Sequence, residues 1–389
     1  MQYVTDRKSG NMLSVLGFGC MRFPRDRTKT EQLIIKAVEA GVNYFDTGYI
    51  YGNSEVTLGD ILHKNGLREK VFLATKLPHQ KCKSYDDFDR LFQEQLERLK
   101  TDYIDYYLIH NLSDLPSWTR LCDLEIEEWI AEKKVTGKIR QTGFSFHGTQ
   151  NGFMSLIDAY DWDCCQIQYN YSDENYQAGR TGLLKAYEKG MPVIIMEPLL
   201  GGKLATGLPS KAERLFKEAD ESISAAAWAF RWLWNQPEVS VVLSGMNSME
   251  QLDDNLKTAE DARPDMLSED ETEVFIPVIA ALREAYKVPC TGCNYCMPCP
   301  QGVNIPGCFA AYNTSYAMGF VPGITQYITS TGANHPEKQY RPNNCVNCGA
   351  CEKNCPQHIE ISKLLVDVKK KMEPFWFNAV LWLIHKFSS

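Results

Sequence analysis

The 389-residue sequence predicts an α/β protein, a (β/α)8 TIM barrel followed by a small cysteine-rich domain. Eight short runs of β-branched or aromatic residues alternate with segments of helical spacing within about 250 residues, which is typical of such a barrel. Nine of the 14 cysteines fall between Cys290 and Cys355. A doubly wound open sheet is the alternative, but the turn Gly17-Phe18-Gly19-Cys20 lacks the third glycine of a dinucleotide-binding fingerprint.

Each predicted strand is a short apolar run bounded by turn residues. In chain order the strands are Val15–Phe18, Tyr44–Asp46, Val71–Thr75, Ile104–Ile109, Ile139–Phe144, Cys164–Gln168, Val193–Met196 and Val239–Leu243. The segments between them carry apolar residues three or four apart, as helices do. The predicted helices are Thr30–Ala40, Glu55–His63, Tyr85–Lys100, Asp123–Lys134, Gly182–Lys189, Ala212–Trp234 and Met249–Ala259. Thr30 and Ser54 are the expected N-caps of the first two helices.

The composition is that of a globular protein. Lysine and arginine number 41 against 49 aspartates and glutamates, a formal net charge of −8, and 44% of the residues are hydrophobic. The acidic balance argues against nucleic-acid binding, which needs cations to neutralise phosphates. Residues 1–16 lack the apolar stretch of a secretory signal peptide, so we expect a cytoplasmic protein with reduced thiols that are available to bind metal.

We expect four parts along the chain. The barrel is predicted over residues 1–262, and a connecting loop and helix over 263–288, with the helix at Glu269–Tyr286. The cysteine-rich domain follows over 289–366. A basic and apolar tail helix is predicted over 367–389.

Two runs with a cysteine at every third residue define the C-terminal domain. The first is Cys290-x2-Cys293-x2-Cys296-x2-Cys299-Pro300, and the second is Cys345-x2-Cys348-x2-Cys351-x3-Cys355-Pro356. Thiolates at this spacing can hold three corners of a cubane cluster, while the proline-flanked fourth cysteine ligates the other cluster. The eight cysteines are therefore predicted ligands of two [4Fe-4S] clusters, each with three ligands from one run and one from the other.

A pair of structural zinc sites is the alternative, because C-x2-C pairs also suit tetrahedral zinc. Two triplet-spaced runs, each closed by a cysteine-proline pair, favour iron–sulfur clusters. The pattern resembles the bacterial two-cluster ferredoxin domain, with an insert at residues 310–344 and one residue fewer before Cys299. Cys308 lies outside the pattern and is typical of a small buried apolar residue.

Polar residues stand where the predicted barrel strands end. Asp46 ends the second strand, Lys76 follows the third, His110 follows the fourth, and Tyr51 comes five residues after Asp46. Side chains at the carboxyl ends of barrel strands converge on one mouth, where barrel enzymes have their active sites. A lysine ammonium lowers the pKa of a nearby tyrosine, an aspartate holds the lysine charged, and a neutral histidine can orient a substrate oxygen. The set predicts a proton donor for a carbonyl under reduction.

Three segments carry a resemblance to a known family. They are GlyValAsnTyrPheAspThrGlyTyrIleTyrGly at 41–52, AlaThrLysLeu at 74–77 and AspTyrTyrLeuIleHis at 105–110. They are similar to active-site segments of the aldo-keto reductase superfamily, and the whole chain resembles its ferredoxin-fused branch. The resemblance implies NADH or NADPH as hydride donor. It also implies Asp46, Tyr51, Lys76 and His110 as the catalytic tetrad, with Tyr51 as general acid.

The same resemblance implies contacts to the dinucleotide. Ser145 and Gln166 stand in the places that bind the nicotinamide carboxamide. Ser248, Gln251 and Asn255 stand in the pyrophosphate and adenosine segments.

Three positions depart from the family pattern. Phe146-His147 replaces the usual asparagine, and Met196 takes the place of the aromatic residue that stacks on the nicotinamide. Residues 243–256 contain no lysine or arginine for a 2′-phosphate, so we expect NADH at least as much as NADPH.

The combined pattern predicts an oxidoreductase that reduces a small-molecule aldehyde or ketone. Its clusters would transfer single electrons to a redox partner protein. Hydride transfer moves two electrons whereas each cluster carries one, and the sequence has no flavin signature that would link the two. The alternative is an electron-transfer protein whose barrel no longer performs hydride chemistry and whose clusters supply electrons to a bound substrate or partner.

The tail combines Lys369-Lys370-Lys371 with an apolar stretch, Phe375–Phe387. About 20 apolar residues are needed to span a bilayer, so the stretch is too short. It is expected either to pack on the protein body or across a dimer, or to lie at a membrane surface with its lysines near anionic lipid.

Overall fold

The computed structural model describes residues 1–317, 319–333, 339–378 and 381. The strands in these residues are β1 (Tyr3–Thr5), β2 (Met12–Ser14), β3 (Leu16–Gly19), β4 (Tyr44–Asp46), β5 (Phe72–Leu77), β6 (Ile104–Ile109), β7 (Ile139–Phe146), β8 (Cys164–Gln168), β9 (Val193–Met196) and β10 (Val241–Ser244). Strands β3 to β10 pair in parallel and in chain order, and β10 pairs back to β3, which closes the barrel. The predicted barrel is confirmed, and the strand bounds differ from the predicted ones by two residues at most.

Helices follow most barrel strands, as the sequence predicts. Those of the first 260 residues are α1 (Arg27–Glu39), α2 (Ser54–Lys64), α3 (Tyr85–Leu99), α4 (Leu115–Cys122), α5 (Ile126–Val135), α6 (Gln150–Ile157), α7 (Gly179–Glu188), α8 (Ser210–Ala219), α9 (Ala225–Trp234) and α10 (Met249–Glu260). Those beyond are α11 (Glu269–Glu273), α12 (Phe275–Ala285), α13 (Ile305–Ala317), α14 (Phe320–Thr331), α15 (Ala350–Lys353) and α16 (Ile361–Met372). The hairpin β1–β2 and helices α4, α6 and α14 were not predicted.

Two predicted helices are each divided in two. The helix expected over Ala212–Trp234 breaks between α8 and α9, where the Asp220 carboxylate accepts hydrogen bonds from the backbone N–H and the hydroxyl of Ser222. This local turn competes with the helix for the same backbone groups. The connecting helix expected over Glu269–Tyr286 is α11 followed by α12.

The two expected N-caps are also wrong. Asp26 caps α1, because its carboxylate accepts hydrogen bonds from the N–H groups of Thr28 and Lys29. Thr30 lies inside the first turn, where its hydroxyl donates to backbone oxygens. Asn53 is the N-cap of α2, and the Ser54 hydroxyl donates to the carbonyl oxygen of Cys20 instead.

The hairpin β1–β2 closes the amino end of the barrel. Asn43, just before β4, donates its side-chain N–H to the Met12 carbonyl and accepts from the Ser14 N–H. In the loop of the hairpin, the buried Asp6 carboxylate accepts a hydrogen bond from the Tyr106 hydroxyl of the barrel interior at 2.8 Å. Since this end is plugged by the chain's own residues, the carboxyl ends of the strands form the open mouth.

The described chain divides into two compact units that interleave along the sequence. One contains Met1–Leu199 and Ala226–Glu269, and the other contains Leu200–Ala225 and the described residues from Asp270 onward. In the second unit, α8 packs on α12 through Phe216 and Phe275, whose ring centroids are 5.6 Å apart. Its apolar core gathers around α13 and α16 and includes Cys308, which is fully buried as expected. The four predicted domain ranges stay a prediction.

Within the residues that the structure describes, every helix is too short or too polar to cross a membrane.

Gly59 allows a close approach behind the barrel mouth. A Cβ atom at this position of α2 would lie 2.4 Å from the carbonyl oxygen of Arg98 and 2.5 Å from the Cα of Leu99, both on α3. Such contacts involve backbone atoms that cannot turn aside.

Gly59→Ala is therefore expected to lower the free energy of unfolding by about 2 kcal/mol, the cost of overpacking. Glycine to alanine inside a helix otherwise adds about 1 kcal/mol of stability, so the sign itself is informative. Urea denaturation followed by circular dichroism measures the change. Val56→Ala, at an exposed position of the same helix, is the control and should change stability by less than about 0.5 kcal/mol. A stabilised Gly59→Ala protein would contradict the prediction.

Candidate active site and cysteine centres

Strand alternation brings the predicted catalytic residues to the barrel interior. Side chains two residues apart on a strand share a face. The interior apolar cluster contains Tyr44, Ala74, Leu108 and Cys164, on four neighbouring strands or pairs of strands. Two residues beyond each of these come, in the same order, Asp46, Lys76, His110 and Gln166. The four site residues therefore line the interior at the carboxyl ends of the strands.

Lys76 and Asp46 form a buried ion pair. The Lys76 ammonium donates to both carboxylate oxygens of Asp46 at 2.7 Å and to the Thr47 carbonyl oxygen at 2.6 Å. Lys76 is 1% exposed and Asp46 is 4% exposed. Burial raises the pKa of Asp46, and the charge and hydrogen bonds of Lys76 together with a hydrogen bond from Gln166 oppose that shift. Three acceptors account for the three N–H donors of the ammonium, so its position is fixed.

Tyr51 and His110 lie against this ion pair. The Lys76 ammonium is 5.0 Å from the centroid of the Tyr51 ring, and the Tyr51 and His110 rings meet edge to face at 5.5 Å. The Tyr51 ring also packs on Gly48, where a Cβ would come within 3.2 Å of it. Burial, followed by the nearby charge of Lys76, holds the pKa of His110 well below its usual range. His110 is thus a neutral imidazole beside a phenol and an ammonium.

A buried network behind the tetrad was not predicted. The Gln95 side-chain N–H donates to the Lys76 carbonyl oxygen at 3.1 Å and to the Glu55 carboxylate at 2.6 Å. Glu55 also accepts from the Thr75 hydroxyl at 2.7 Å and pairs with Arg98 at 3.2 Å. The network holds β5 against α2 and α3 at the level of Lys76. A glutamate in the apolar stripe of α2, with Leu58 and Leu62, is the sequence signal that could have indicated it.

Ser145 and Gln166 are neighbours across the strand pair β7–β8. Their Cα atoms are register partners, and both residues are buried. The Ser145 hydroxyl oxygen accepts from the backbone N–H of Asn111 at 2.8 Å. The side-chain oxygen of Gln166 is buried and has no hydrogen-bond partner among the described residues. A buried acceptor of this kind fits the N–H₂ group of a carboxamide.

The residues that depart from the family pattern have other partners. Phe146 belongs to the apolar cluster between strands and helices. His147 lies with its Nδ1 3.1 Å from the Gln177 side-chain oxygen, and the Gln177 amide donates to Gln168 at 3.0 Å. Met196 packs on the interior cluster of the barrel. These positions supply a histidine and a thioether where the family has an amide and an aromatic ring.

The three predicted adenosine-segment contacts lie on the first turns of α10. The Ser248 hydroxyl accepts from the Gln251 N–H, and the Gln251 side-chain oxygen accepts from the Asn247 N–H, which caps the helix. Asn255 is buried and donates to the Ser244 hydroxyl at 2.9 Å. Their roles toward a dinucleotide stay a prediction.

The eight predicted cluster ligands gather into two groups of four. Cys290, Cys293 and Cys296 line one cavity with Cys355, and its empty volume is about 310 Å³. The other cavity, of about 330 Å³, is lined by Cys345, Cys348, Cys351 and Cys299. Each group takes three cysteines from one run and one from the other, as the spacing indicates. The extra distance from Cys351 to Cys355 does not disturb this arrangement.

The thiols surround the cavities rather than meeting at a point. Among the described residues, no three His, Cys, Asp or Glu side chains converge as ligands of a single metal ion do. A cubane cluster instead needs four thiolates spread around a larger group. The donor set and the two cavities therefore fit iron–sulfur clusters.

Both runs fold the same way around their second cysteine. Positive φ angles flank it on each side, at Gly292 (68°) and Asn294 (67°) in the first run and at Asn347 (57°) and Gly349 (71°) in the second. Glycine and asparagine tolerate this conformation best. The exchange of glycine and asparagine between the runs hides a repeat that the backbone retains.

Buried polar side chains anchor the start of each run. Asn313 pairs with the backbone of Val288, accepting from its N–H at 3.0 Å and donating to its carbonyl oxygen at 2.7 Å. Before the second run, the Glu373 carboxylate accepts from the Tyr327 hydroxyl at 2.6 Å and from the Asn343 amide at 3.1 Å. These anchors fix the chain two residues before Cys290 and Cys345.

Comparison with known proteins agrees with this geometry. A model of the Aldo/keto reductase family matches residues 15–266, and a model of the 4Fe-4S dicluster domain matches residues 289–360. The closed barrel and its polar mouth define an oxidoreductase. The chain belongs to the aldo/keto reductase family and carries a C-terminal 4Fe-4S dicluster domain.

Named relatives support the same assignment. The 6-dehydroglucose reductase of Novosphingobium aromaticivorans is 26% identical over 261 residues, which cover 61% of this chain and 83% of the relative. The holo form of aldo-keto reductase AKR11C1 from Bacillus halodurans superposes with a TM-score of 0.58 at 25% identity, over 72% of this chain and 96% of the other. An aldo/keto reductase from Klebsiella pneumoniae in complex with NADP and acetate shares the fold, with a TM-score of 0.60 at 21% identity over 72% and 96% of the two chains.

His79 at the barrel mouth makes stability depend on pH. Burial, then the charge of Arg120, lowers its pKa to about 4. The ring is therefore neutral in the folded protein, whereas an unfolded chain takes up a proton near pH 6.5. Because the unfolded state binds more protons between these values, stability falls as the pH falls from about 6.5 towards 4.

Between pH 7.5 and 5.5, His79→Gln is expected to lose about 1 kcal/mol less stability than the unchanged protein. Anaerobic urea denaturation at the two pH values measures this difference. His63→Gln, at an exposed histidine, serves as the control and should keep the original pH dependence. Equal slopes for the unchanged protein and His79→Gln would contradict the assignment.

Proposed function

We propose that this oxidoreductase reduces the carbonyl group of a small aldehyde or ketone, with Asp46, Tyr51, Lys76 and His110 as the catalytic tetrad. The observation that carries the proposal is the buried Lys76–Asp46 ion pair, which lies against a tyrosine and a neutral histidine at the open end of the barrel. A fixed cation next to a phenol favours release of its proton. The Asp46 carboxylate keeps that cation in place.

Each residue has a separate task in this proposal. A bound NADH or NADPH supplies the hydride to the carbonyl carbon. The Tyr51 hydroxyl donates a proton to the carbonyl oxygen, so that one hydride and one proton convert the carbonyl to an alcohol. Lys76 then stabilises the tyrosinate through its positive charge. His110 stays neutral and orients the substrate oxygen by hydrogen bonding without repelling the ammonium.

The nicotinamide would be held by Ser145 and Gln166. The buried, unpartnered oxygen of Gln166 supports this assignment, because a carboxamide N–H₂ would satisfy it. The related protein from Klebsiella pneumoniae is bound to NADP, which supports a nicotinamide cofactor. The absence of lysine and arginine from residues 243–256, which include Ser248, Gln251 and Asn255, favours NADH as much as NADPH.

We propose two [4Fe-4S] clusters, one in each cysteine cavity. They would exchange single electrons with a redox partner protein. Cys348 is exposed and is followed by Gly349, while Val346 next to it is 62% exposed. This edge of the second cavity supports electron exchange there, because transfer falls off with distance from the surface group.

A second candidate function is electron transfer without hydride chemistry in the barrel. The observation that favours it is the replacement of the family's asparagine and stacking aromatic by Phe146-His147 and Met196. Anaerobic titration with NADH and NADPH separates the two functions. Binding of either dinucleotide supports the reductase, and binding of neither supports electron transfer alone.

The tail proposal concerns contacts outside the active site. Phe375 is 97% exposed and Trp376 is 38% exposed, shortly after three lysines, which supports contact with anionic lipid or with another copy of the chain. Residues 379, 380 and 382–389 of the predicted tail helix lie outside the described residues. The contact stays a prediction.

Tyr51→Phe tests the tetrad. It removes one hydroxyl and is expected to lower the rate of NADH- or NADPH-dependent carbonyl reduction by a factor of about 10² to 10⁴, as loss of a general acid does. Dinucleotide affinity and iron content should be unchanged. Tyr187→Phe, on α7 and in contact with Arg7, is the matched control and should retain activity. Full activity of Tyr51→Phe over a panel of aldehydes and ketones would refute the assignment.

Cys355→Ala tests the crossed ligation. The variant removes the fourth thiol of the first cavity and is expected to reduce iron and acid-labile sulfide by about half, from about eight to about four of each per chain. Cys308→Ala removes a buried cysteine outside both cavities and should leave both counts unchanged. Equal losses in the two variants would argue against the proposed ligands. Two zinc ions and no sulfide in the unchanged protein would instead support the zinc alternative.

A further inference from the structure

The two cysteine cavities share one framework, so the places where they differ are informative. When the first run is laid on the second, residues lining the two cavities correspond in pairs. Such pairs are Val303 and Ile359, Pro306 and Ser362, and Phe309 and Leu365. Two of the pairs exchange one apolar side chain for another. The pair of Pro306 and Ser362 exchanges a residue with no polar hydrogen for one with a hydroxyl.

Ser362 is held firmly at the second cavity. It is the second residue of α16, and its backbone N–H donates to the Glu352 carboxylate at 2.8 Å. Its hydroxyl oxygen is buried and has no hydrogen-bond partner among the described residues. A buried hydroxyl without a partner is unfavourable, so such groups in native proteins mark a missing acceptor.

The first cavity has a hydroxyl of a different kind. Thr291 lines it where the second cavity has Val346, but Thr291 takes part in another interaction within the chain. Pro306, at the place of Ser362, has neither a side-chain donor nor a backbone N–H. The unpartnered hydroxyl therefore distinguishes the second cavity from the first.

We propose that the Ser362 hydroxyl donates a hydrogen bond to a sulfur of the cluster held by Cys299, Cys345, Cys348 and Cys351, and that this bond raises the reduction potential of that cluster. The inference rests on the proposed cluster ligation. One-electron reduction adds one negative charge, much of it on the cluster sulfurs, and a hydrogen-bond donor stabilises the reduced form more than the oxidised form. The two clusters consequently differ in potential although their cysteine frameworks match.

Redox titration of the purified full-length protein, followed by electron paramagnetic resonance, tests the inference. The unchanged protein should show two separate one-electron transitions. Ser362→Ala should move one transition to lower potential and leave the other in place. Loss of a hydrogen bond to a charged group changes an equilibrium by about tenfold, which corresponds to about 59 mV for a one-electron couple. Ser362→Thr keeps the hydroxyl and should restore the original potential.

Pro306→Ser is the reciprocal variant. It places a hydroxyl at the matching position of the first cavity and should raise the other transition, the one that Ser362→Ala does not move. If Ser362→Ala loses its cluster, the result with Pro306→Ser decides: a rise of one transition supports the inference, and unmoved potentials overturn it.

Iron and sulfide counts separate the two possible failures. Full counts with potentials that neither variant moves overturn the role of Ser362 and leave the ligation standing. Counts well below about eight in the unchanged protein overturn the ligation and the inference together. A shift of both transitions by Ser362→Ala would also overturn the inference, because a hydrogen bond at one cavity acts on one cluster.

Discussion

The barrel site depends on the buried ion pair between Lys76 and Asp46. Moving either charge out of water costs several kcal/mol, and only the partner charge and further hydrogen bonds offset that cost. The pair can form only when β4 and β5 are in register, with Asp46 opposite Ala74 and Lys76 two residues further on. Barrel closure thus sets the position of the ammonium, and the ammonium in turn fixes the environment of Tyr51 and His110. The site is a property of the whole barrel, which is why the amino end is plugged by the chain itself through Asp6 and Tyr106.

Much of this arrangement could be predicted because it follows from a period of two along the strands. Asp46, Lys76 and His110 each stand at the end of a short apolar run, and parallel strands bring such ends together. The support behind them could not be predicted. Glu55 joins Thr75, Gln95 and Arg98, residues 20 to 43 positions away, and these contacts depend on how closely α2 approaches α3 at Gly59. The wrong N-caps have a similar cause, since Asp26 and Thr30 both have capping side chains and only the path of the preceding loop selects between them.

The cysteine unit shows the same division between local and non-local information. Spacing alone predicts two groups of four with one crossed ligand each, and the two cavities have this composition. Spacing says nothing about Ser362, which comes seven residues after the last ligand and reaches the second cavity only because α16 begins at Ile361. The repeat is therefore strict in the ligands and relaxed in the residues around them. Differences in the surrounding residues are the means by which two equal frameworks can hold groups of unequal potential.

The interleaving of the two compact units links the two chemistries along the chain. After β9 the chain leaves the barrel unit at Leu199, and the next residues, Leu200, Gly201 and Gly202, all have positive φ angles. The Lys203 ammonium then donates to the carbonyl oxygen of Val288 at 3.3 Å, the same oxygen that Asn313 binds two residues before Cys290. The segment predicted to hold the pyrophosphate is thus continuous with a segment that is hydrogen-bonded to the start of the first cysteine run. A rearrangement of Leu200–Gly202 on dinucleotide binding would reach Val288 through one residue and one hydrogen bond. The iron–sulfur unit is accordingly joined to the reductase barrel through this crossover as well as through the connection at α11 and α12.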